Sequence, residues 1–171
     1  MIRVGVITGP VGVGKSTVLQ EADTLLIDAG IPHASLELEA IARYWGRKTS
    51  MSGNADIAYR NLASVWTNYS VAGADKLLLT MLMERRSDLR PLHMAIRQAD
   101  IRVVRLHAPL PLIEHRLRSR EKTTPDQEVS AAQWWFARLK GSRFADHVIA
   151  NDDRSPKEVA LEVLRALQWL D

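Results

Sequence analysis

An apolar, β-branched stretch that runs directly into a glycine-rich loop is the most constraining feature of this sequence. Residues 3–8 read RVGVIT and residues 9–16 read GPVGVGKS, which matches the Walker A pattern G-x-x-x-x-G-K-[ST] at every specified position. Glycines let successive backbone amides turn toward one anion, and the start of the following helix adds the positive end of its dipole. This segment, which we call the glycine loop (residues 9–16), therefore predicts binding of a nucleoside triphosphate.

Individual residues of the glycine loop have distinct expected roles. Lys15 can reach the β- and γ-phosphates, and the Ser16 hydroxyl can ligate Mg²⁺. The candidate nucleotide-binding residues in this part of the chain are Gly9, Gly12, Val13, Gly14, Lys15, Ser16 and Thr17. The pattern does not by itself separate GTPases, ATPases and kinases, but the sequence contains no N-K-x-D segment of the kind that reads guanine.

The rest of the chain alternates short apolar runs with longer amphipathic stretches. The predicted strands are residues 3–8, 32–38, 76–83, 101–106 and 147–150. The predicted helices are residues 16–29, 55–72, 87–98 and 110–120, and a last helix that begins at Pro156 with Ser155 as N-cap and Glu158 completing a capping box. Residues 46–54 are polar and predict a loop. This order favours an α/β domain with a mainly parallel sheet covered on both faces, and we expect residues 1–171 to form one such domain.

Composition excludes several classes of protein. The chain has no cysteine, which excludes disulfide scaffolds, thiolate metal sites and cysteine nucleophiles. The 23 basic and 20 acidic residues leave a formal charge of only +3, which disfavours nucleic acid as a partner. No apolar run approaches the length of a transmembrane helix, and the first residues lack a signal-peptide pattern. We expect a soluble, cytoplasmic protein with no membrane partner, as a monomer or a homodimer.

Beyond the glycine loop, the sequence resembles the P-loop kinases of small metabolites, namely gluconate kinase, shikimate kinase and adenylylsulfate kinase. Their D-x-D after the second strand is matched here by Glu37-Leu38-Glu39, and the gluconate-kinase pattern after the third strand is loosely matched by residues 80–90. Residues 106–120 follow the helix pattern that ends in R-L-x-x-R, and residues 151–156 follow the acidic strand end and Pro-led helix. The resemblance implies a three-layer P-loop fold with sheet order 2-3-1-4-5, ATP and Mg²⁺ as cofactors, and a small-molecule acceptor.

The same resemblance assigns roles to residues outside the loop. Glu37 would hold the metal together with Ser16, and Glu39 would accept the proton of the acceptor hydroxyl. Arg116 is the candidate for contacting adenine or phosphate, Arg120 for delivery to the phosphates by a lid of about residues 120–130, and Pro156 for bordering adenine. Arg118 is a reserve for the lid role and Arg154 a weaker candidate near adenine. Thr80, at the end of the third strand, is expected to be buried packing.

The leading hypothesis is a Mg²⁺-ATP-dependent phosphotransferase that moves the γ-phosphoryl group to a hydroxyl of a small metabolite, which we expect to be anionic. Lys15, Glu37, Glu39 and Arg120 are its candidate catalytic residues. A nucleoside or nucleotide kinase is a second hypothesis, and a non-catalytic ATP-binding regulatory module is a third. A kinase of nucleic-acid 5′-hydroxyls is disfavoured by the small net charge.

Overall fold

The computed structural model describes residues 1–44, 51–120 and 125–171, and of residues 51–55 it describes the backbone alone. The strands are β1 (Arg3–Thr8), β2 (Ala34–Glu37), β3 (Lys76–Thr80), β4 (Asp100–His107) and β5 (His147–Ala150). The helices are α1 (Lys15–Asp28), α2 (Met51–Val71), α3 (Arg90–Ala95), α4 (Leu110–Arg118), α5 (Pro125–Leu139) and α6 (Pro156–Ala166). A 3₁₀ turn at Arg86–Leu89 precedes α3.

The five strands form one parallel sheet in the order β2-β3-β1-β4-β5, which confirms the predicted order. Strand β1 lies in the centre, paired with β3 on one side and β4 on the other. Because all strands run the same way, their carboxyl ends meet at one edge of the sheet. The glycine loop after β1, the acidic residues after β2 and the exit of β3 are therefore brought together.

Two apolar clusters cover the two faces of the sheet. One cluster joins the strands to α1, α4, α5 and α6, and includes Ile7, Val104 and Leu106 of the sheet. The other joins them to α2 and α3, and includes Val4, Val6 and Val103. Alternate residues of β1 and β4 thus enter opposite clusters, as the two-residue period of a strand requires. None of the helices in the described ranges is long and apolar enough to cross a membrane.

Strand β3 ends earlier than its apolar run predicts. Its last ladder contacts are the bond from the amide of Leu38 to the Thr80 carbonyl (3.0 Å) and the bond from the amide of Met81 to the Ile7 carbonyl (3.2 Å). Met81 and Met83 remain buried although they are not paired in the sheet. Burial under α2 and α3, and not strand pairing, explains the length of this apolar run.

Several other boundaries differ from the prediction. Residues 51–54, predicted as loop, form the first turn of α2, because this helix is held by the packing of Ala58, Leu62 and Trp66 further along it and not by local polarity. Residues 46–50 lie outside the described residues. The predicted helix 87–98 divides into the 3₁₀ turn and the short α3. Of the expected lid, residues 125–130 open helix α5, and residues 121–124 lie outside the described residues. Helix α6 has the predicted Ser155 cap and Glu158 capping box.

Candidate functional site

The glycine loop has the backbone conformation that its glycines make possible. Gly9 has φ +142° and a Cβ there would lie 2.6 Å from the carbonyl oxygen of Leu106. Gly14 has φ +101° and a Cβ there would lie 2.5 Å from Nδ2 of Asn151. Both positions combine a left-handed backbone with direct contact to a neighbour, so only glycine fits. The loop then enters α1 at Lys15, and the start of this helix faces the carboxyl edge of the sheet.

Lys15 folds back over the loop that precedes it. Its Nζ donates hydrogen bonds of 3.1 Å to the carbonyl oxygens of Gly9 and Pro10. Burial lowers the pKa of the Lys15 ammonium from 10.5 to about 8, the carboxylates of Glu39 and Glu37 act in the opposite direction, and Arg120 lowers the pKa further. The ammonium is thus desolvated and lies beside the carboxylates of Glu37 and Glu39. Its hydrogen bonds go to neutral carbonyl oxygens, which an anion could replace.

Asn151, which follows β5, fixes the loop from behind. Its Nδ2 donates a 2.6 Å hydrogen bond to the carbonyl oxygen of Val13, and the residue is 5% exposed. Arg116 in turn donates to the carbonyl oxygens of Asn151 (2.9 Å) and Asp152 (2.7 Å). Arg116 therefore orders the segment after β5, and two of its donor nitrogens are already engaged by the backbone.

The acidic pair lies at the carboxyl edge of the sheet, although only one of its members is on a strand. Glu37 is the last residue of β2 and Glu39 lies in the turn that follows, yet both side chains border one cavity. Glu39 is positioned differently, because its Oε1 accepts a 2.9 Å hydrogen bond from the amide of Leu82, after β3. The second oxygen of Glu39 accepts no hydrogen bond from the described residues.

One cavity of about 210 Å³ collects these groups. Its lining is formed by Val11, Gly12, Gly14, Lys15, Ser16, Glu37, Glu39, Thr80, Leu82 and Arg120. The four candidate catalytic residues and the two candidate metal ligands thus border the same space. Thr80 is 1% exposed, as expected for a packing residue, yet it also reaches the cavity wall.

A second cavity, of about 320 Å³, adjoins the start of α1 on the side of β5. It is lined by Gly14, Thr17, Arg116, Ser119, Arg120, Asn151, Arg154 and Pro156. The residues that the resemblance places near adenine therefore lie together. Arg120 borders both cavities, whereas Arg118 borders neither and instead pairs with Asp126 on the surface.

Two candidate residues of the loop contribute through the backbone. Gly9 does not line either cavity, and its carbonyl oxygen is a partner of Lys15. Val13 is fully buried, so its side chain belongs to the core and its carbonyl is the group that Asn151 holds. Both residues shape the loop and present no side chain to a ligand.

The oxygen ligands in the first cavity, which Lys15 and Glu39 line, are of the kind that Mg²⁺ binds. Ser16 supplies a hydroxyl and Glu37 a carboxylate that accepts no hydrogen bond from the described residues, and hard oxygen ligands are what Mg²⁺ prefers. In the described part of the chain there is no group of three or more His, Asp or Glu side chains that would hold a metal ion by themselves. One or two protein ligands together with substrate phosphates and waters is the usual arrangement for this ion.

Sequence reasoning missed two contributors to the site. Asn151 lies in the segment 151–156 that the resemblance covers, but the role of its side chain depends on a contact across 138 residues of sequence and was not predicted. The Leu82 amide that holds Glu39 is a backbone group and leaves no signal in the sequence.

Solved structures with this fold are numerous, although the sequence matches no protein-family model and no curated protein. A sugar kinase from Janibacter sp. HTCC2649 superposes with a TM-score of 0.68 at 19% identity, over 98% of this chain and 95% of that chain. The tunicamycin resistance protein of Deinococcus radiodurans gives 0.67 at 18% identity, over 99% and 98%. The APS kinase of Mycobacterium tuberculosis, in complex with AMPPNP and APS, gives 0.61 at 21% identity, over 98% of both chains.

A gluconokinase and shikimate kinases are also among the structural matches, so all three predicted kinase families are structural neighbours of this chain. At identities of 21% and below, these matches establish the P-loop kinase fold. The activity has to be argued from the site itself.

Proposed function

We propose that this protein is a Mg²⁺-ATP-dependent kinase that transfers the γ-phosphoryl group of ATP to a hydroxyl of a small, anionic metabolite. The observation that carries the proposal is the single cavity that Lys15, Ser16, Glu37, Glu39 and Arg120 border together. Phosphoryl transfer requires groups that donate hydrogen bonds to the phosphates, a ligand for the metal ion and a group that orients the acceptor hydroxyl. All of these must lie within a few ångströms of one another. This cavity supplies each of them.

The glycine loop and Lys15 would hold the triphosphate. Backbone amides of residues 12–16 would donate to the β-phosphate, while Lys15 leaves the carbonyls of Gly9 and Pro10 and donates to the β- and γ-phosphates. The exchange is favourable because the desolvated ammonium gains a doubly charged partner in place of two neutral oxygens. The adenine ring would lie in the second cavity, between Pro156 and the guanidinium plane of Arg116.

Glu39 would orient the acceptor. With Oε1 held by the Leu82 amide, its second oxygen is fixed in position to accept the proton of the acceptor hydroxyl. The hydroxyl oxygen then attacks the γ-phosphorus, the bond from phosphorus to the β,γ-bridging oxygen breaks, and ADP leaves with the electron pair. Arg120 would neutralise charge on the transferring phosphoryl group. Mg²⁺, held through Ser16 and Glu37, supplies charge neutralisation of the β- and γ-phosphates when bound.

The proposal is tested by transfer of label from γ-labelled ATP with Mg²⁺ to a panel of acceptors. The panel holds hydroxy acids, sugars, nucleosides, nucleotides and adenylylsulfate, together with tunicamycin because one structural match is a tunicamycin resistance protein. Lys15→Ala serves as the blank, and Lys157→Ala, which changes an exposed lysine outside both cavities, serves as its matched control. A labelled product that disappears only in Lys15→Ala supports the kinase.

Three other outcomes point elsewhere. A product formed from nucleosides or nucleotides alone makes the protein a nucleoside or nucleotide kinase. Tight ATP binding without transfer to any acceptor overturns the kinase and leaves a nucleotide-binding regulatory module. Loss of nucleotide binding altogether in the wild-type protein overturns the assignment of the glycine loop.

A further inference from the structure

A third cavity, of about 140 Å³, borders the glycine loop at Pro10. Its basic lining comes from Arg105 and His107 of β4 and from Lys140, just after α5, and its apolar lining includes Phe136 and Leu139. Among the residues that the structure describes, no acidic one lines it. The cavity therefore presents positive charge in a partly apolar setting next to the glycine loop.

The guanidinium of Arg105 is only partly satisfied there. Its Nη1 donates a 2.7 Å hydrogen bond to the carbonyl oxygen of Leu139. Its Nε is buried and has no hydrogen-bond partner among the described residues, and the side chain forms no ion pair with any of them. Burial lowers the pKa of Arg105, with no carboxylate acting in the other direction, yet an arginine remains protonated at neutral pH.

Thr8 adds a second unsatisfied group beside Arg105. The two residues are direct partners in the β1–β4 register, so their side chains leave the same face of the sheet on strands about 4.8 Å apart. Thr8 is fully buried, and its Oγ1 has no hydrogen-bond partner within the described part of the chain. Ser142 shows the same deficit at Oγ, and its amide shares the Leu139 carbonyl with Arg105.

Buried polar groups are normally paired, and each unpaired one carries a desolvation cost unless a ligand or water supplies the partner. The free edge of Arg105, formed by Nε and Nη2, is the one that binds a carboxylate or phosphate through two parallel hydrogen bonds. Water would satisfy Nε but would leave the guanidinium without a counter-charge.

We propose that the cavity lined by Pro10 and Arg105 binds one small oxyanion group, a carboxylate or a phosphate, with the free edge of Arg105 as its ligand. Thr8 is fully buried and does not itself line the cavity. The site is separate from the cavity that holds Lys15 and Glu39, and its existence does not depend on the proposed phosphoryl transfer. Pro10 connects the two, because its ring lines this cavity while its carbonyl oxygen accepts from Lys15. The anion belongs either to the acceptor molecule or to a separate small molecule.

The binding test uses inorganic phosphate and acetate as probes, with the glycine loop first saturated by Mg²⁺ and AMPPNP. The readout is the Nε–H cross-peak of Arg105 in a ¹⁵N correlation spectrum, assigned by its loss in Arg105→Lys. We expect a saturable shift of this peak in the wild-type protein. Arg105→Lys keeps a charge but loses the two-bond edge, so calorimetry should show affinity reduced by at least about tenfold. Arg102→Lys, on the same strand and paired with Asp100, is the matched control and should bind as wild type.

Thr8→Val is a second control, because Thr8 neighbours Arg105 in the sheet but does not line the cavity. The variant removes an unsatisfied buried hydroxyl, so the protein should melt at a higher temperature while its affinity for phosphate stays that of the wild type. The proposal is overturned if the Arg105 peak does not respond to either anion, if the response does not saturate, or if Arg105→Lys binds as tightly as wild type.

The transfer assay decides whether the anion is part of the acceptor or a separate molecule. Each anionic acceptor is compared with the corresponding neutral amide. If the acceptor carries the anion, Arg105→Lys raises KM for the acid and leaves KM for the amide unchanged. If a separate molecule carries it, added phosphate changes the rate in the wild-type protein and not in Arg105→Lys, and KM for both acceptors stays the same. Should no acceptor react at all, the proposed kinase fails, while the peak shift and the calorimetry still decide the anion site.

Discussion

The side-chain amide of Asn151 donates a 2.6 Å hydrogen bond to the carbonyl oxygen of Val13, and so joins the end of β5 to the middle of the glycine loop. The same amide nitrogen occupies the space that a side chain at Gly14 would need. Arg116 holds Asn151 in place by donating a hydrogen bond to the backbone carbonyl oxygen of Asn151. The shape of the loop is therefore maintained by residues more than a hundred positions away.

Asn151→Ala should destabilise the protein and weaken nucleotide binding together. The Val13 carbonyl would be left buried without this partner, at a cost of about 1–3 kcal/mol in the free energy of unfolding. The measurement is denaturant unfolding combined with calorimetric titration of ADP. Asn61→Ala is the control, since it removes a comparable side-chain bond to the Ile41 carbonyl at an exposed site, and it should change stability by no more than about 0.5 kcal/mol. Unchanged ADP affinity in Asn151→Ala would show that the loop keeps its shape without this bond.

Nucleotide affinity should fall as the pH rises through about 8. A triphosphate binds the protonated Lys15, whose pKa in the free protein is lowered to about 8, so binding above this pH must take up a proton. Calorimetry at pH 8.5 in buffers of different ionisation enthalpy should report that uptake, and Lys15→Met should abolish it. Proton uptake that persists in Lys15→Met would assign it to another group.

Nucleotide affinity is expected to fall above pH 8, whereas the stability of the free protein is expected to rise, because of the same lowered pKa of Lys15. The folded state releases the Lys15 proton at about 8 and the unfolded chain at about 10.5, so the buried charge is unfavourable below pH 8. The penalty is relieved between these two values. Denaturant unfolding should therefore show that the unfolding free energy of the wild type rises, relative to that of Lys15→Met, between pH 8 and pH 10.

If the protein is the kinase we propose, substitutions of Glu37 and Glu39 should change different kinetic parameters. Glu39→Gln keeps an oxygen to accept from the Leu82 amide but cannot take a proton, so kcat should fall by about 10²–10⁴ with little change in structure. Glu37→Gln should raise the Mg²⁺ concentration required for half-maximal rate and recover activity in excess Mg²⁺. Glu114→Gln, which lies outside both cavities and keeps an acceptor for Gln133, is the control. Reversed phenotypes would exchange the two roles.

Ser155→Ala should cost about 1 kcal/mol of stability without changing activity. Ser155 caps α6 by accepting from the amide of Glu158, whose carboxylate in turn accepts from the amide of Ser155. Hydrogen bonds to the Glu158 carboxylate, first from the Ser155 hydroxyl and then from the Ser155 amide, lower the pKa of Glu158. Thermal unfolding measures the effect, and Ser130→Ala, on the exposed surface of α5, is the matched control.

The sequence was most informative where the chemistry is local. The glycine loop predicts its own strand, turn and helix start, and Ser155 with Glu158 predicts the start of α6, because all the partners lie within a few residues. The order of the strands followed from the resemblance to a family. The acids were placed at the correct edge because parallel strands bring their carboxyl ends together.

Contacts across the fold were beyond that reasoning. Glu39 lies in a turn and is positioned by the Leu82 amide, a backbone group that any residue would supply. The apolar run after Thr80 stays buried without being a strand, and apolar runs do not distinguish the two. Arg105 lies within a predicted strand, where a single basic residue is ordinary, and only its unsatisfied Nε and its register with Thr8 mark it out.

The central position of β1 has a consequence for how the protein is made. The glycine loop leaves the ribosome well before its partners, since β1 must wait for β3 and β4 to pair with it and the Val13 carbonyl waits for Asn151. All residues up to 151 have to be synthesised before the glycine loop acquires its final form. Nascent chains arrested before residue 151 should therefore be unable to hold a nucleotide, and capture of the ligand would report that synthesis has passed β5.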